Sequence, residues 1–193
     1  EMTSSLVGSE MCIRDRIKLV ENLLSVTRIE DGRMDLRMSA ELMDEVIAEA
    51  MRHTDRNRDG RKIEVSSDEE FILGKMDARL IVQVVINLVD NAVKYTPEGA
   101  QIRIHTGKKD GMVVVSVSDT GPGIPDEQKS KVFDMFYTGT NRAADGRRSL
   151  GLGLGLCRSI IRAHGGEIWV SDNKPQGAVF TFTLPAEEVT LHE

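Results

Sequence analysis

The sequence predicts an α+β fold, a two-layer α/β sandwich preceded by a helical segment. Three observations predict it. Stretches with apolar residues every three or four positions alternate with short runs rich in Val, Ile and Thr. Several of those runs are joined by tight polar turns, as in antiparallel pairs beside helices. Hydrophobic residues make up 40% of the 193 and charged residues 29%, enough apolar material for one core. Aromatic residues are only 4%, so aliphatic side chains must build that core.

Residues 1–13 have no helical or strand period and read as disordered or as non-native sequence. The string from Ser5 to Arg16, SLVGSEMCIRDR, resembles translated adapter sequence found at the ends of assembled reading frames. From Ile17 the period turns helical. Ile17, Val20, Leu24 and Thr27 share a face, flanked by Leu23 and Val26, and Asp31-Gly32 ends the helix. That face is wider than one helix buries alone, so it asks for a partner helix. A second helix is expected over 40–53, with Ser39 as N-cap and Leu42, Val46, Ile47 and Ala50 on its buried side. Asn57-Arg58-Asp59-Gly60 is a turn. Residues 62–66 and 71–73 read as short strands.

A third helix is expected over 78–95, capped by Asp77 and stopped at Thr96-Pro97, because the residue before proline avoids the helical region. Strands over 101–106 and 112–118 follow, with a hairpin at 108–111. A loop with a short helix covers 120–136, and a Gly- and Arg-rich stretch covers 137–150. A fourth helix spans 151–163, closed by Gly165-Gly166 with His164 at its end. Strands over 167–171 and 178–184 finish the chain.

The bulk properties exclude some functions. A net charge of −6, with a pI of about 5.3, argues against nucleic acid binding, which needs a basic face. Cys12 and Cys157 have no partner at metal-ligand spacing and suggest no disulfide framework, which fits a cytoplasmic location. No apolar run approaches the roughly 18 residues of a membrane helix, so no direct membrane contact is expected. No G-x-x-x-x-G-K-[ST] P-loop occurs, nor a kinase H-R-D or D-F-G.

Three elements carry chemistry. On the helix at 78–95, Gln83, Asn87 and Asn91 recur at spacing four, with Lys94 three residues on, so one stripe is polar on a helix otherwise suited to burial. A carboxamide oxygen is a hard ligand suited to Mg²⁺, and an ammonium suits phosphate. The alternative is a row of amides facing water. Next, Asp119-Thr120-Gly121-Pro122-Gly123-Ile124 follows directly on a strand. Its carboxylate suits the exocyclic amine of adenine and disfavours the guanine carbonyl. The alternative is a plain type II turn. Third, Gly151-Leu152-Gly153-Leu154-Gly155-Leu156 opens a helix, where bare backbone N–H groups favour an anion. Close helix packing would also explain those glycines. The preceding segment from Gly139 to Ser149, tipped with Arg147 and Arg148, reads as a lid over phosphates or as a solvated loop.

Taken in this order, the elements resemble the catalytic ATP-binding domain of sensor histidine kinases, which share the fold of the gyrase, Hsp90 and MutL ATPases. The resemblance covers 36–187. It rests on Asn87-Leu88-Val89-Asp90-Asn91-Ala92-Val93-Lys94-Tyr95-Thr96, on Asp119 to Ile124, on Phe133-Asp134-Met135-Phe136-Tyr137 and on Gly151 to Leu156. The stretches His164-Gly165-Gly166-Glu167-Ile168 and Phe180-Thr181-Phe182-Thr183-Leu184-Pro185 resemble the closing strands. Within the family, Arg147-Arg148-Ser149-Leu150-Gly151 and the ending Thr183 to Glu188 look most like the Kdp-type potassium-responsive sensor kinases. Residues 14–33, ending Arg28-Ile29-Glu30-Asp31-Gly32, look like the end of the second dimerisation and phosphoacceptor helix; 188–193 form a tail.

The resemblance implies ATP and Mg²⁺ as cofactors. It makes Asn91 the main metal ligand, supported by Asn87, with Lys94 on phosphate and Tyr95 near the nucleoside. Asp119 would recognise adenine in a slot shaped by Gly121, Gly123 and Ile124. Gly151 and Gly153 would let the lid close on the phosphates, Tyr137, Leu152 and Leu154 would also contact ATP, and, with Thr138 where the family has Arg, Arg147 or Arg148 is expected to carry the phosphate charge. The ATPase relatives carry Glu where this chain has Asn87, and an amide cannot activate water as a base. The pattern is departed from at Thr138, where Arg is common, at Ser149, where Gly is common, and at Ala178, where a hydroxyl residue is common.

No histidine here has the acceptor context of His, an acid, then Leu-Arg-Thr-Pro; His53, His105, His164 and His192 all lack it. The expected function is therefore the ATP-binding fragment of a two-component histidine kinase. Its phosphate would go to a histidine on a helical hairpin outside this chain and then to a response regulator, in potassium or osmotic signalling. The parent would be a homodimer anchored in a bacterial membrane. The alternatives are a nucleotide-binding interaction module without turnover and an anti-sigma-type serine kinase.

Overall fold

The computed structural model describes residues 35–54, 61–138 and 151–187. The expected helix over 17–30, the turn at 57–60, the stretch 139–150 with Arg147 and Arg148, and the tail 188–193 lie outside the described residues.

The element order is β1 (Ser39–Leu42), α1 (Met43–Thr54), β2 (Lys62–Ser67), β3 (Leu73–Met76), α2 (Ala78–Tyr95), β4 (Gln101–Lys109), β5 (Met112–Asp119), α3 (Asp126–Lys129), α4 (Gly153–Ala163), β6 (Ile168–Asp172) and β7 (Ala178–Pro185). Five strands form one sheet in the order β2-β4-β5-β7-β6, and β1 pairs with β3 in a separate two-stranded ladder. Every pairing is antiparallel except β2 with β4, which is parallel, so the main sheet is mixed where antiparallel strands were expected. The excursion through β3 and α2 between β2 and β4 supplies the crossover that a parallel pair requires.

The second layer is helical. α2 packs against both α1 and α4. Met43, Val46, Ile47 and Ala50 of α1, Ile81, Val84, Val85, Leu88 and Val89 of α2, and Leu156, Ile160 and Ile161 of α4 are all buried. They meet Ile102, Ile104, Val113, Val115, Val117, Phe180, Phe182 and Leu184 of the sheet. Burying each such aliphatic side chain contributes about 1.5–3 kcal/mol. The strict alternation of burial along β5 records a sheet with one covered face and one open face.

The expectation fails most clearly at residues 39–42. Residues 39–42 are a strand and not the first turn of a helix. Ser39 pairs opposite Met76 and Leu42 opposite Leu73, and Ser39 Oγ bonds its own neighbour Glu41 at 2.6 Å instead of capping α1. Residues 71–73 shift too: Phe71 is exposed with φ +63, and the strand runs from Leu73 to Met76. The bounds of α2 match the expectation, and Asp77 occupies the N-cap position without a side-chain cap bond. Its carboxylate is taken by the Arg37 backbone N–H at 3.1 Å and by Arg79 at 2.9 and 3.2 Å. The β4–β5 hairpin turns at Asp110 and Gly111, with φ +51 and +75, the geometry of a two-residue primed turn. α4 begins at Gly153, two residues later than expected. No helix among the described residues is long and apolar enough to cross a membrane.

Candidate functional site

The site is built on the C-terminal half of α2. Leu80, Val84 and Leu88 anchor the helix in the core, and that leaves Gln83, Asn87, Asn91 and Lys94 on its half-buried side. Asn87 Nδ2 is fully buried with no hydrogen-bond partner, while its Cγ and Oδ1 lie 3.8 Å from where a Cβ on Gly153 would sit. The middle amide of the stripe therefore faces the start of α4. Beneath it, Cys157 is completely buried, and desolvation pushes its thiol up to about 12. That cysteine is inert packing. Asn91 makes no side-chain hydrogen bond among the described residues, and Lys94 Nζ lies 5.6 Å from the centroid of the Tyr95 ring.

Asp119 ends β5 and is 6% exposed. Its Oδ1 accepts from the Gly121 N–H at 2.8 Å and the Ala178 N–H at 3.3 Å. Its Oδ2 has no partner among the described residues. Burial pushes its carboxyl up, while the two backbone donors pull it down; the upward shift wins. One oxygen is thus fixed, and the other remains for a donor on a ligand. The loop that follows is tightly seated. A Cβ at Gly121 would meet Thr96 Cγ2 at 2.8 Å and the Tyr95 carbonyl at 3.4 Å, so the loop rests on the end of α2. Ile124 is half-buried against the core, and Gly123 takes φ +77 after Pro122.

The second glycine run resolves into separate roles. Gly151 has φ +67, and a Cβ there would sit 2.5 Å from the Tyr137 carbonyl; its own carbonyl accepts from the Phe136 N–H at 2.9 Å. It pins the half-buried Tyr137 segment beside α4. Gly155 is packing, since its missing Cβ would lie 2.4 Å from Met135 Sδ. Gly153 faces Asn87, as above. Leu152 is buried and Leu154 packs on the core, so these two residues offer the site backbone groups only. The N-cap of α4 makes no side-chain cap bond, which leaves its first N–H groups to an anion.

Several contributors escaped the sequence reading. Asn173 Nδ2 donates to the Asp119 carbonyl at 2.7 Å. Gly177, with φ +124, lets its backbone come so close that a Cβ would fall 1.9 Å from the same carbonyl. Thr120 is tied to Gln101 by two bonds of 3.1 and 3.2 Å. Arg61 donates to Thr96. The only signal for Asn173 and Gly177 is the turn composition of Asn173-Lys174-Pro175-Gln176-Gly177, which says nothing of a contact 54 residues away. His164, read as a helix cap, is indeed at the C-cap of α4 and is part of the scaffold.

Among the described residues no three of His, Cys, Asp and Glu gather to hold a metal. A cation on this face would be held by amide oxygens and by its ligand's own phosphates, a donor set that suits Mg²⁺. Two cavities of about 420 and 450 Å³ are present, the first lined in part by Gly123 and Ile124 of the glycine loop. The first lies between the glycine loop and the β6–β7 turn, the second between α1 and β2; neither is lined by Asn87, Asn91 or Asp119.

Residues 76–188 match the family described as histidine kinase-, DNA gyrase B- and HSP90-like ATPase. Over 171 residues the chain is 41% identical to the sensor protein KdpD of Clostridium acetobutylicum, an alignment that covers 89% of this chain and 19% of KdpD. The chain thus spans about a fifth of that relative's length. The solved catalytic domain of histidine kinase ThkA, nucleotide-free, is similar with a TM-score of 0.67 at 33% identity, covering 79% of this chain and 97% of that one. ThkA in complex with the response regulator protein TrrA is similar with a TM-score of 0.73 at 30% identity, covering 97% of this chain and 53% of ThkA.

Proposed function

The chain belongs to the histidine kinase-, DNA gyrase B- and HSP90-like ATPase family, and from that premise we propose that it binds Mg·ATP for phosphoryl transfer to a histidine on a separate helical hairpin. The observation that carries the reading is the meeting of three groups around α2: the amide stripe, the buried acid at 119 and the uncapped start of α4. Asp119 Oδ2 accepts from the adenine amine. Asn91, with Asn87 behind it, supplies amide oxygens to Mg²⁺. Lys94 and the N–H groups at the start of α4 face phosphate oxygens, and Arg147 or Arg148 supplies further positive charge for the phosphates. Bound Mg²⁺ would neutralise phosphate charge during the transfer.

The side chain at 87 decides the acceptor. A carboxamide takes no proton from water at neutral pH, so water is not activated there. Phosphate is kept for a protein nucleophile that brings its own reactivity, such as an imidazole nitrogen. Likeness to sensor kinases supports the same acceptor, and the ThkA–TrrA complex supports a response regulator as the next recipient.

The test mixes the chain with ATP labelled at the γ-phosphate, Mg²⁺ and a separately made histidine-bearing hairpin domain from a sensor kinase of the KdpD type. Acid-labile label on the hairpin is expected. Nucleotide binding with no transfer would favour an interaction module without turnover. Acid-stable label on serine would favour a serine kinase of the same fold.

A further inference from the structure

The proposed nucleotide site has two halves carried by different elements. The amide stripe belongs to α2, and the adenine-recognising acid is the last residue of β5, where the glycine loop begins. Their spacing is set where the C-cap of α2, Thr96, meets Gly121. Thr96 is 1% exposed, and its Cγ2 would stand only 2.8 Å from a Gly121 Cβ. Gly121 in turn donates to Asp119 Oδ1 at 2.8 Å. Any movement of the end of α2 is therefore transmitted to the acid across one van der Waals contact.

One side chain holds that end. Arg61, just before β2, reaches 35 residues along the chain and places its guanidinium on Thr96. Its terminal nitrogen donates to the Thr96 carbonyl at 2.7 Å, and Nε donates to Thr96 Oγ1 at 3.3 Å. Thr96 Oγ1 also donates to the Ala92 carbonyl at 2.7 Å. A helix end leaves its last carbonyls without intrahelical partners, and a cation there satisfies one of them and complements the helix dipole. The same strand start is tied to the other half of the site. Lys62 pairs opposite Gln101, and Gln101 exchanges two hydrogen bonds with Thr120, inside the Asp119 loop. Arg61 thus closes a ring of contacts through Thr96, Gly121, Thr120 and Gln101.

We propose that Arg61 is a positioning residue of the nucleotide site, holding the end of α2 at the distance that lets Asp119 and the α2 amides engage one nucleotide. This rests on the ATP-binding reading above. A guanidinium fits because it donates two bonds in a fixed plane; lysine reaches the same carbonyl with one.

The experiment measures the Kd of Mg·ATP by calorimetry at 15 °C, and Tm by thermal melting, on the full chain and on Arg61→Ala, Arg61→Lys and Arg79→Ala. Arg79 pairs with Asp77 at the opposite end of α2 and serves as a stability control. Arg61→Ala is expected to weaken Mg·ATP binding by about tenfold, the size of one charge-assisted hydrogen bond. Arg61→Lys should recover part of the loss, and Arg79→Ala should lower Tm with affinity unchanged. Binding by Arg61→Ala within twofold of the parent, or an equal loss in Arg79→Ala, overturns the proposal. If Arg61→Ala does not fold, Arg61→Lys decides: weaker binding at an unchanged Tm supports it, and unchanged binding overturns it. A parent chain that does not bind Mg·ATP overturns the functional reading itself, an outcome distinct from the others.

Discussion

Asp119 gives one carboxylate oxygen to the scaffold and leaves the other without a partner among the described residues. Oδ1 is held by the Gly121 and Ala178 N–H groups, and Oδ2 accepts from nothing else described. Replacing Asp119 with Asn exchanges an acceptor for a group that also donates. Asp119→Asn is expected to weaken ATP binding at least tenfold and to narrow the preference for ATP over GTP, read by competition with a fluorescent nucleotide. Equal discrimination in the variant would contradict the assignment of the acid to adenine. Gly177 sits behind the same carbonyl. With φ +124 and no room for a Cβ against the Asp119 backbone, Gly177→Ala must displace the acid. A loss of roughly 1–3 kcal/mol in stability is expected, together with weaker nucleotide binding, checked by urea melts and calorimetry. The acid was legible in the sequence because a strand of Val and Ser runs straight into Asp-x-Gly-x-Gly. The buttress from Asn173 and Gly177 was not, because nothing local marks a contact made across the sheet.

Helices with strong apolar periods were legible as elements. α2 has its expected bounds because a three- to four-residue period and a Thr-Pro stop agree. β1 was misread because Ser39-Ala40-Glu41-Leu42 has helix-like composition and only the partner strand at 73–76 makes it extended. The joint between α4 and α2 is another tertiary feature. His164 is 2% exposed; its Nδ1 lies 2.7 Å from the Ile160 carbonyl, and its Nε2 accepts from the Asp77 N–H at 3.0 Å. The ring must therefore be neutral, with the proton on Nδ1. Burial holds it below the usual histidine value of 6.5, against smaller upward pulls from the Ile160 carbonyl and the Asp77 carboxylate. Because the unfolded chain takes the proton first, stability is full above pH 6.5 and falls as pH drops below it. Asp77 adds a second, more acidic loss. Burial pushes its carboxyl up, but Arg79 and the Arg37 N–H outweigh that and hold it below 3.8. Urea denaturation from pH 8 to pH 5 should give a falling stability in the parent and a flatter profile in His164→Gln. Parallel profiles would remove His164 from the account.

The helical layer covers one face of a mixed sheet and carries the candidate site at its edge. The other face is open, with Trp169 on the edge strand β6 41% exposed. The two-layer class was legible because periods of 3.6 and 2 alternate along the chain. The parallel pairing of β2 with β4 was not, since the intervening α2 gives no sign of which side it crosses. The proposed function requires one nucleotide to span α2 and the Asp119 loop, with Mg²⁺ held by amide oxygens. The direct measurement is a calorimetric titration of the chain with ATP, with and without Mg²⁺, repeated on Asn91→Ala. Binding that strengthens with Mg²⁺ in the parent and loses that dependence in Asn91→Ala, with affinity at least tenfold weaker, is the predicted result. Equal affinity in parent and variant, or binding indifferent to Mg²⁺, would contradict it.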